Sequence, residues 1–89
     1  MRVEWDEDKA RENRINHGIA FPHAEAVLFD PLTLSIEDTE SEGEQRHISL
    51  GQDALGRILL VVYTYSDENT IRLISARKAS PGEVKAYEG

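Results

Sequence analysis

Arg72, Arg77 and Lys78 place three cations within seven residues, and Ser80-Pro81-Gly82-Glu83 directly after them carries the residue types that start a helix. Arginine grips a phosphate or carboxylate through two parallel hydrogen bonds, which lysine does not reproduce. A helix N-terminus beside it adds backbone N–H donors for the same anion. A plainer role is equally open, in which Arg77 pairs with acids of the first predicted helix, such as Glu7 or Asp8. His17 lies four residues after Asn13, on the same helix face. It is either a proton donor and acceptor or a helix-end side chain that meets free carbonyls. Tyr63, Tyr65 and Tyr87 offer rings for stacking and hydroxyls for proton donation. Tyr63 is expected to close the core, Tyr87 to pack the last helix, and Tyr65, beside a turn, to be exposed. His23 and His47 fall on solvent faces by the same pattern.

The 89 residues suffice for one domain, 1–89, with a modest core, so any site must lie on that core's own surface. No cysteine is present, which excludes a disulfide framework, a thiolate metal site and a cysteine nucleophile. The run Ile58-Leu59-Leu60-Val61-Val62 is far too short to span a bilayer, and the N-terminus lacks an apolar signal run. A soluble, cytoplasmic protein without a membrane partner is expected. The net charge of -7 opposes nonspecific binding to polyanions, yet it is unevenly spread. Residues 1–45 carry four Lys/Arg against twelve Asp/Glu, whereas residues 46–89 carry six against five. A local basic site in the second half is compatible with the acidic whole.

These side chains must be held by a small set of elements. Met1 to Trp5 alternates and suits a short extended segment. Asp6 is the N-cap of a helix that runs to about His17 and stops at Gly18. Its apolar members are Ala10 and Ile15, which predicts docking by a narrow stripe. Phe21 to Phe29 reads as a second helix with Pro22 near its first position, ended by Asp30-Pro31. Strands are predicted at Leu32–Glu37, Arg46–Leu50, Arg57–Tyr65 and Thr70–Ala76 from their alternating or continuous apolar patterns. Short connections make the last three antiparallel neighbours. Ser80, Pro81 and Glu83 form a capping-box pattern for a closing helix. The fold class is α+β: a small twisted antiparallel sheet of about four strands, two N-terminal helices and one C-terminal helix.

Trp5-Asp6-Glu7-x-Lys9-x-x-x-Asn13-x-x-x-His17-Gly18-Ile19-x-Phe21, Phe29-Asp30-Pro31, Gly43-Glu44-x-Arg46 and Ile71-Arg72-x-Ile74-Ser75-Ala76-Arg77-Lys78-Ala79 resemble, in order, the BrnT toxins of type II toxin–antitoxin modules. The resemblance implies a RelE-like fold and a ribonuclease that arrests translation by cutting mRNA, on the ribosome or free. It implies a BrnA-type ribbon-helix-helix antitoxin as partner, through which alone operator DNA is bound. Many relatives carry an arginine shortly after the threonine equivalent to Thr64 and several more after the alanine-arginine-lysine segment. This chain has Tyr65-Ser66-Asp67-Glu68 and Ser80-Pro81-Gly82-Glu83 there. An alternative therefore stands beside the nuclease: a noncatalytic homologue that binds the antitoxin in operon control.

Metal-free RNA cleavage needs the 2′-hydroxyl activated, charge on the phosphate stabilised and the leaving oxygen protonated. On this reading Arg72, Arg77, Lys78 and His17 are the candidate catalytic residues, and Tyr65, Arg57 and Tyr87 the candidate RNA contacts. No cofactor or metal is expected. Asp38-x-Glu40-x-Glu42-Gly43 imitates the first half of a calcium loop, but its twelfth position is Ser49 rather than Glu.

Overall fold

The computed structural model describes residues 1–38 and 45–89, with the side chains of 36–38 excepted; the acidic calcium-like segment falls outside the described residues. Five strands form one sheet in the order β1-β5-β4-β3-β2: β1 Arg2–Glu4, β2 Leu34–Asp38, β3 Arg46–Gln52, β4 Ile58–Asp67 and β5 Thr70–Lys78. Helix α1 spans Glu7–His17, a short α2 spans Phe21–Ala24 and continues as a 3-10 helix Glu25–Phe29, and α3 spans Pro81–Glu88. The sheet is thus mixed, with five strands rather than about four and all-antiparallel. Arg2–Glu4 pairs parallel with Thr70–Arg72, while the remaining neighbours are antiparallel. The short extended segment expected at Met1 to Trp5 is thus β1, but the local pattern does not show its place in the sheet, because its partner lies far along the chain.

Local chemistry sets the element ends. Asp6 accepts hydrogen bonds from the Asp8 and Lys9 amides, and Gly18 closes α1 at φ +70°, where a side chain is disfavoured. Pro31 follows the end of the second helical segment, as expected. Leu59, Val61 and Tyr63 of β4 and Ile71, Leu73 and Ala76 of β5 are buried together with Ala10, Ile19, Phe21, Ala24 and Val27. The opposite sheet face, which includes Leu60 and Val62, is only half-buried.

Of the predicted Ala10 and Ile15 stripe, Ala10 docks on the core as expected, but Ile15 does not, and Asn13 takes the second buried position of α1. Ile15 is 76% exposed and Asn13 is 5% exposed. Ile15 is two positions from Asn13 and therefore points away from the sheet when Asn13 points in. The Asn13 amide donates to the Ile19 and Ala76 carbonyls, both at 2.9 Å, and accepts from the Ala76 N–H at 3.0 Å. Beyond Arg72 the outer edge of β5 has no strand partner among the described residues. The Asn13 amide supplies there the donor and acceptor that a neighbouring strand would.

Candidate functional site

A bulge in β5 decides which cations share a face. Tyr63 opposes Leu73 but Val62 opposes Ser75, so Ile74 is the extra residue. Arg72 opposes Thr64, Ser75 opposes Val62 and Arg77 opposes Leu60, and these β4 positions alternate regularly. Arg72 and Arg77 therefore project from the same face, although an odd spacing of five in a regular strand puts them on opposite ones. Lys78 opposes Leu59 and belongs to the other face. At a strand rise of about 3.3 Å per residue the two arginines stand roughly 15 Å apart along β5.

Each arginine already has a carboxylate. Arg72 Nε donates to Glu4 at 3.2 Å, next to it across the parallel β1 pairing. Arg77 donates from both terminal nitrogens to Glu83, at 2.9 and 3.0 Å. The expected capping box is complete: the Ser80 N–H donates to Glu83 at 2.8 Å and the Glu83 N–H donates to the Ser80 hydroxyl at 3.2 Å. The anion position formed by Arg77 and the α3 N-terminus is thus filled by the protein's own Glu83 rather than by the expected Glu7 or Asp8. The Arg77 hydrogen bonds, followed by the Ser80 amide, hold the Glu83 carboxyl down at about 2. The same contact raises the Arg77 guanidinium further.

The open edge of β5 brings together a different set. His17, exposed at the end of α1, lines a hollow with Lys9, Glu12, Asn13, Asn16, Ile74 and Ser75. Lys9 also lines the adjoining hollow with Arg72, Glu4, Trp5 and Asp6. Lys9 is the residue the two hollows share, so Lys9, His17 and Arg72 border this edge together with the acids Glu4, Asp6 and Glu12. Sequence reasoning meets Lys9 only within the family-like motif and assigns it no chemistry, because α1 reads as a solvated helix. Its spacing of eight from His17, about two helical turns, is the available signal.

The three candidate RNA contacts fall elsewhere. Arg57 sits in the β3–β4 turn and donates to Asp53 at 2.9 and 2.6 Å. Burial pushes the Asp53 carboxyl up, but the Arg57 side chain and the Arg57 and Leu55 amides outweigh it and leave it lowered. Tyr87 donates from its hydroxyl to Asp30, which fixes α3 to the loop before β2 and raises the phenol. Tyr65 is 44% exposed. His47, expected on a solvent face, is half-buried and stacks on Tyr63. Among the described residues no three His, Cys, Asp or Glu side chains converge as a metal site. No described helix is long and apolar enough to cross a membrane.

Comparisons with known proteins concern the chain as a whole. A search of curated proteins finds no match. Among solved structures, the Brucella abortus ribonuclease toxin BrnT is similar at 26% identity and a TM-score of 0.69, over 90% of this chain and 97% of that one. A family model described as ribonuclease toxin, BrnT, of type II toxin–antitoxin system matches residues 5–83, which takes in α1, the whole β5 edge and the capping box. The chain belongs to the BrnT family of type II toxins.

Proposed function

We propose that this chain is a metal-independent ribonuclease toxin whose reacting phosphate lies along the open edge of β5. The observation that carries this reading is Lys9, which lines one hollow with His17 and the adjoining one with Arg72. In the proposed reaction the RNA 2′-hydroxyl attacks the adjacent phosphorus. The O2′–P bond forms, the P–O5′ bond breaks, and the products are a 2′,3′-cyclic phosphate and a free 5′-hydroxyl. His17 takes the 2′ proton, Lys9 and Arg72 stabilise the charge gathering on the phosphate oxygens, and water or Lys9 returns a proton to O5′. Arg77 and Lys78, roughly 15 Å along the strand from Arg72, hold the RNA further along rather than at the scissile group. A BrnA-type antitoxin silences the chain, and operator DNA is bound only through that partner.

The acidic bulk supports cleavage of mRNA on the ribosome, which positions the RNA and removes the need for nonspecific attraction. The test is expression of the chain alone, with growth and transcript ends followed. Wild type arrests growth and cuts translated mRNA, and His17→Ala and Arg72→Ala cut at least about 100-fold more slowly while melting like wild type. Cleavage at the wild-type rate by both variants sinks this assignment. A second reading, a noncatalytic antitoxin binder, draws on the half-open apolar groove between the sheet and α3, lined by Leu34, Ile48, Leu50, Leu60 and Ala86. It predicts tight antitoxin binding with intact transcripts under every ribosome-loaded condition.

A further inference from the structure

At the end of the sheet where β3 and β4 extend past the helices, three rings form a cluster that the cleavage chemistry leaves unused. His47 of β3 opposes Tyr63 of β4, and their rings stack with centroids 5.5 Å apart at 23°. Tyr65, two residues further along β4, meets His47 edge-on at 5.2 Å and 85°, and Tyr63 at 6.1 Å and 72°. Tyr63 is fixed from beneath: its hydroxyl accepts from Ser49 at 3.1 Å, and Ser49 shares a hydrogen bond with Ser35 at 2.9 Å. Helix α1 covers β5, and the 3-10 helix reaches β3 near Gly51, so neither closes over this end. Tyr65 keeps 44% of its surface in solvent. A ring needed only to fill the core is normally buried, whereas an exposed ring held rigid by two others loses little entropy when a planar group stacks on it.

We propose that Tyr65 and His47, braced by Tyr63, are a stacking platform for one unpaired nucleobase of single-stranded RNA. This rests on the RNA reading above and adds a base-binding site to it. Single-stranded RNA is commonly held by bases splayed onto aromatic rings of a sheet face. Stacking requires no net positive charge, which suits a chain of charge -7. Tyr65 opposes Ile71, and Arg72, the next residue of β5, projects from the opposite face, so an RNA that joins the platform to Arg72 has to turn around the β4–β5 end. A strand of RNA that wraps around this sheet end sets a base on the platform on one face while its backbone reaches Arg72 on the other.

The experiment uses the full chain and a short 2′-O-methyl RNA carrying one 2-aminopurine, which the enzyme cannot cut. Wild type quenches the 2-aminopurine fluorescence on binding. Tyr65→Ala and His47→Ala each lose the quench and weaken binding by about tenfold, whereas Tyr65→Phe keeps both, since stacking needs the ring and not the hydroxyl. The affinity depends weakly on salt, with a logarithmic slope of roughly -1 or shallower, because few phosphates are neutralised. An unchanged Kd in Tyr65→Ala, equal damage from Tyr65→Phe, or no binding by wild type overturns the platform. So does a loss confined to antitoxin binding, which makes the rings a protein contact. Because the probe cannot be cleaved, a quench without any mRNA cleavage refutes the nuclease and leaves the platform standing.

Discussion

Asn13 completes a sheet edge with one side chain, and its cost of removal follows from what it leaves behind. Truncation to alanine strands the Ala76 N–H and carbonyl and the Ile19 carbonyl in a buried setting, and a net hydrogen bond is worth less than the penalty for an orphaned buried group. Asn13→Ala is expected to lower stability by about 2–4 kcal/mol in urea denaturation. A loss under about 1 kcal/mol shows that water replaces the amide. At this scale the sequence is only partly legible. A polar residue inside a polar helix gives no sign of facing inward, so apolar Ile15 takes its place in the core expected from pattern alone. Arg77 reads as a residue that could grip a phosphate or pair with an acid of the first helix, whereas the anion it holds is Glu83, which already has an evident task as the third residue of the capping box. One carboxylate performing both tasks is visible only once the strand end and the helix start are adjacent.

The α3 start is the element whose behaviour with pH can be worked out. Glu83 drops from its ordinary 4.5 to about 2 in the fold, first through Arg77 and then through the Ser80 amide. On acidification the unfolded chain therefore takes up this proton before the native one does. The stabilisation from Glu83 is complete above about pH 4.5 and is lost as pH falls toward about 2. Glu83→Gln is expected to cost about 1–2 kcal/mol at pH 7, through a weakened cap and a half-exposed ion pair. It is also expected to flatten the fall in stability between about pH 4.5 and 2, measured as urea midpoints over a pH series. Asp30, Asp53 and Asp67 are lowered too, so both proteins keep some acid sensitivity and the difference curve isolates Glu83. Parallel curves refute the coupling. Caps at Asp6, Gly18 and Ser80 are legible because each is a local signature within four residues. The β5 bulge is not, since it is a relation between two strands and turns on which residue of Leu73-Ile74-Ser75 goes unpaired.

Over the whole molecule, the α+β plan and the extended start follow from local patterns, while the parallel pairing of β1 escapes because its evidence lies in the distant Thr70–Arg72 segment. Composition, in contrast, makes a prediction that no single contact does. The native chain has a radius of gyration of 12.2 Å and extents of 31 × 26 × 25 Å. Its excess of seven negative charges is confined far more tightly than in an unfolded chain of roughly 30 Å. Two like charges about 25 Å apart repel by about 0.2 kcal/mol in water, and the Debye length of about 30 Å at about 10 mM salt falls to about 8 Å at about 150 mM. The repulsion therefore acts across the whole molecule at low salt and is removed at physiological salt. Opposing it are ion pairs that salt also weakens, but Arg11–Asp8 and Arg72–Glu4 are largely exposed and contribute little. The Asp53 side chain, fully buried against Arg57, is scarcely screened. Raising NaCl from about 10 to 150 mM is thus expected to increase Tm by about 2–6 °C, corresponding to on the order of 0.5 kcal/mol. A Tm that falls over this range shows that the exposed pairs, rather than the crowding of negative charge, set the electrostatics of the fold.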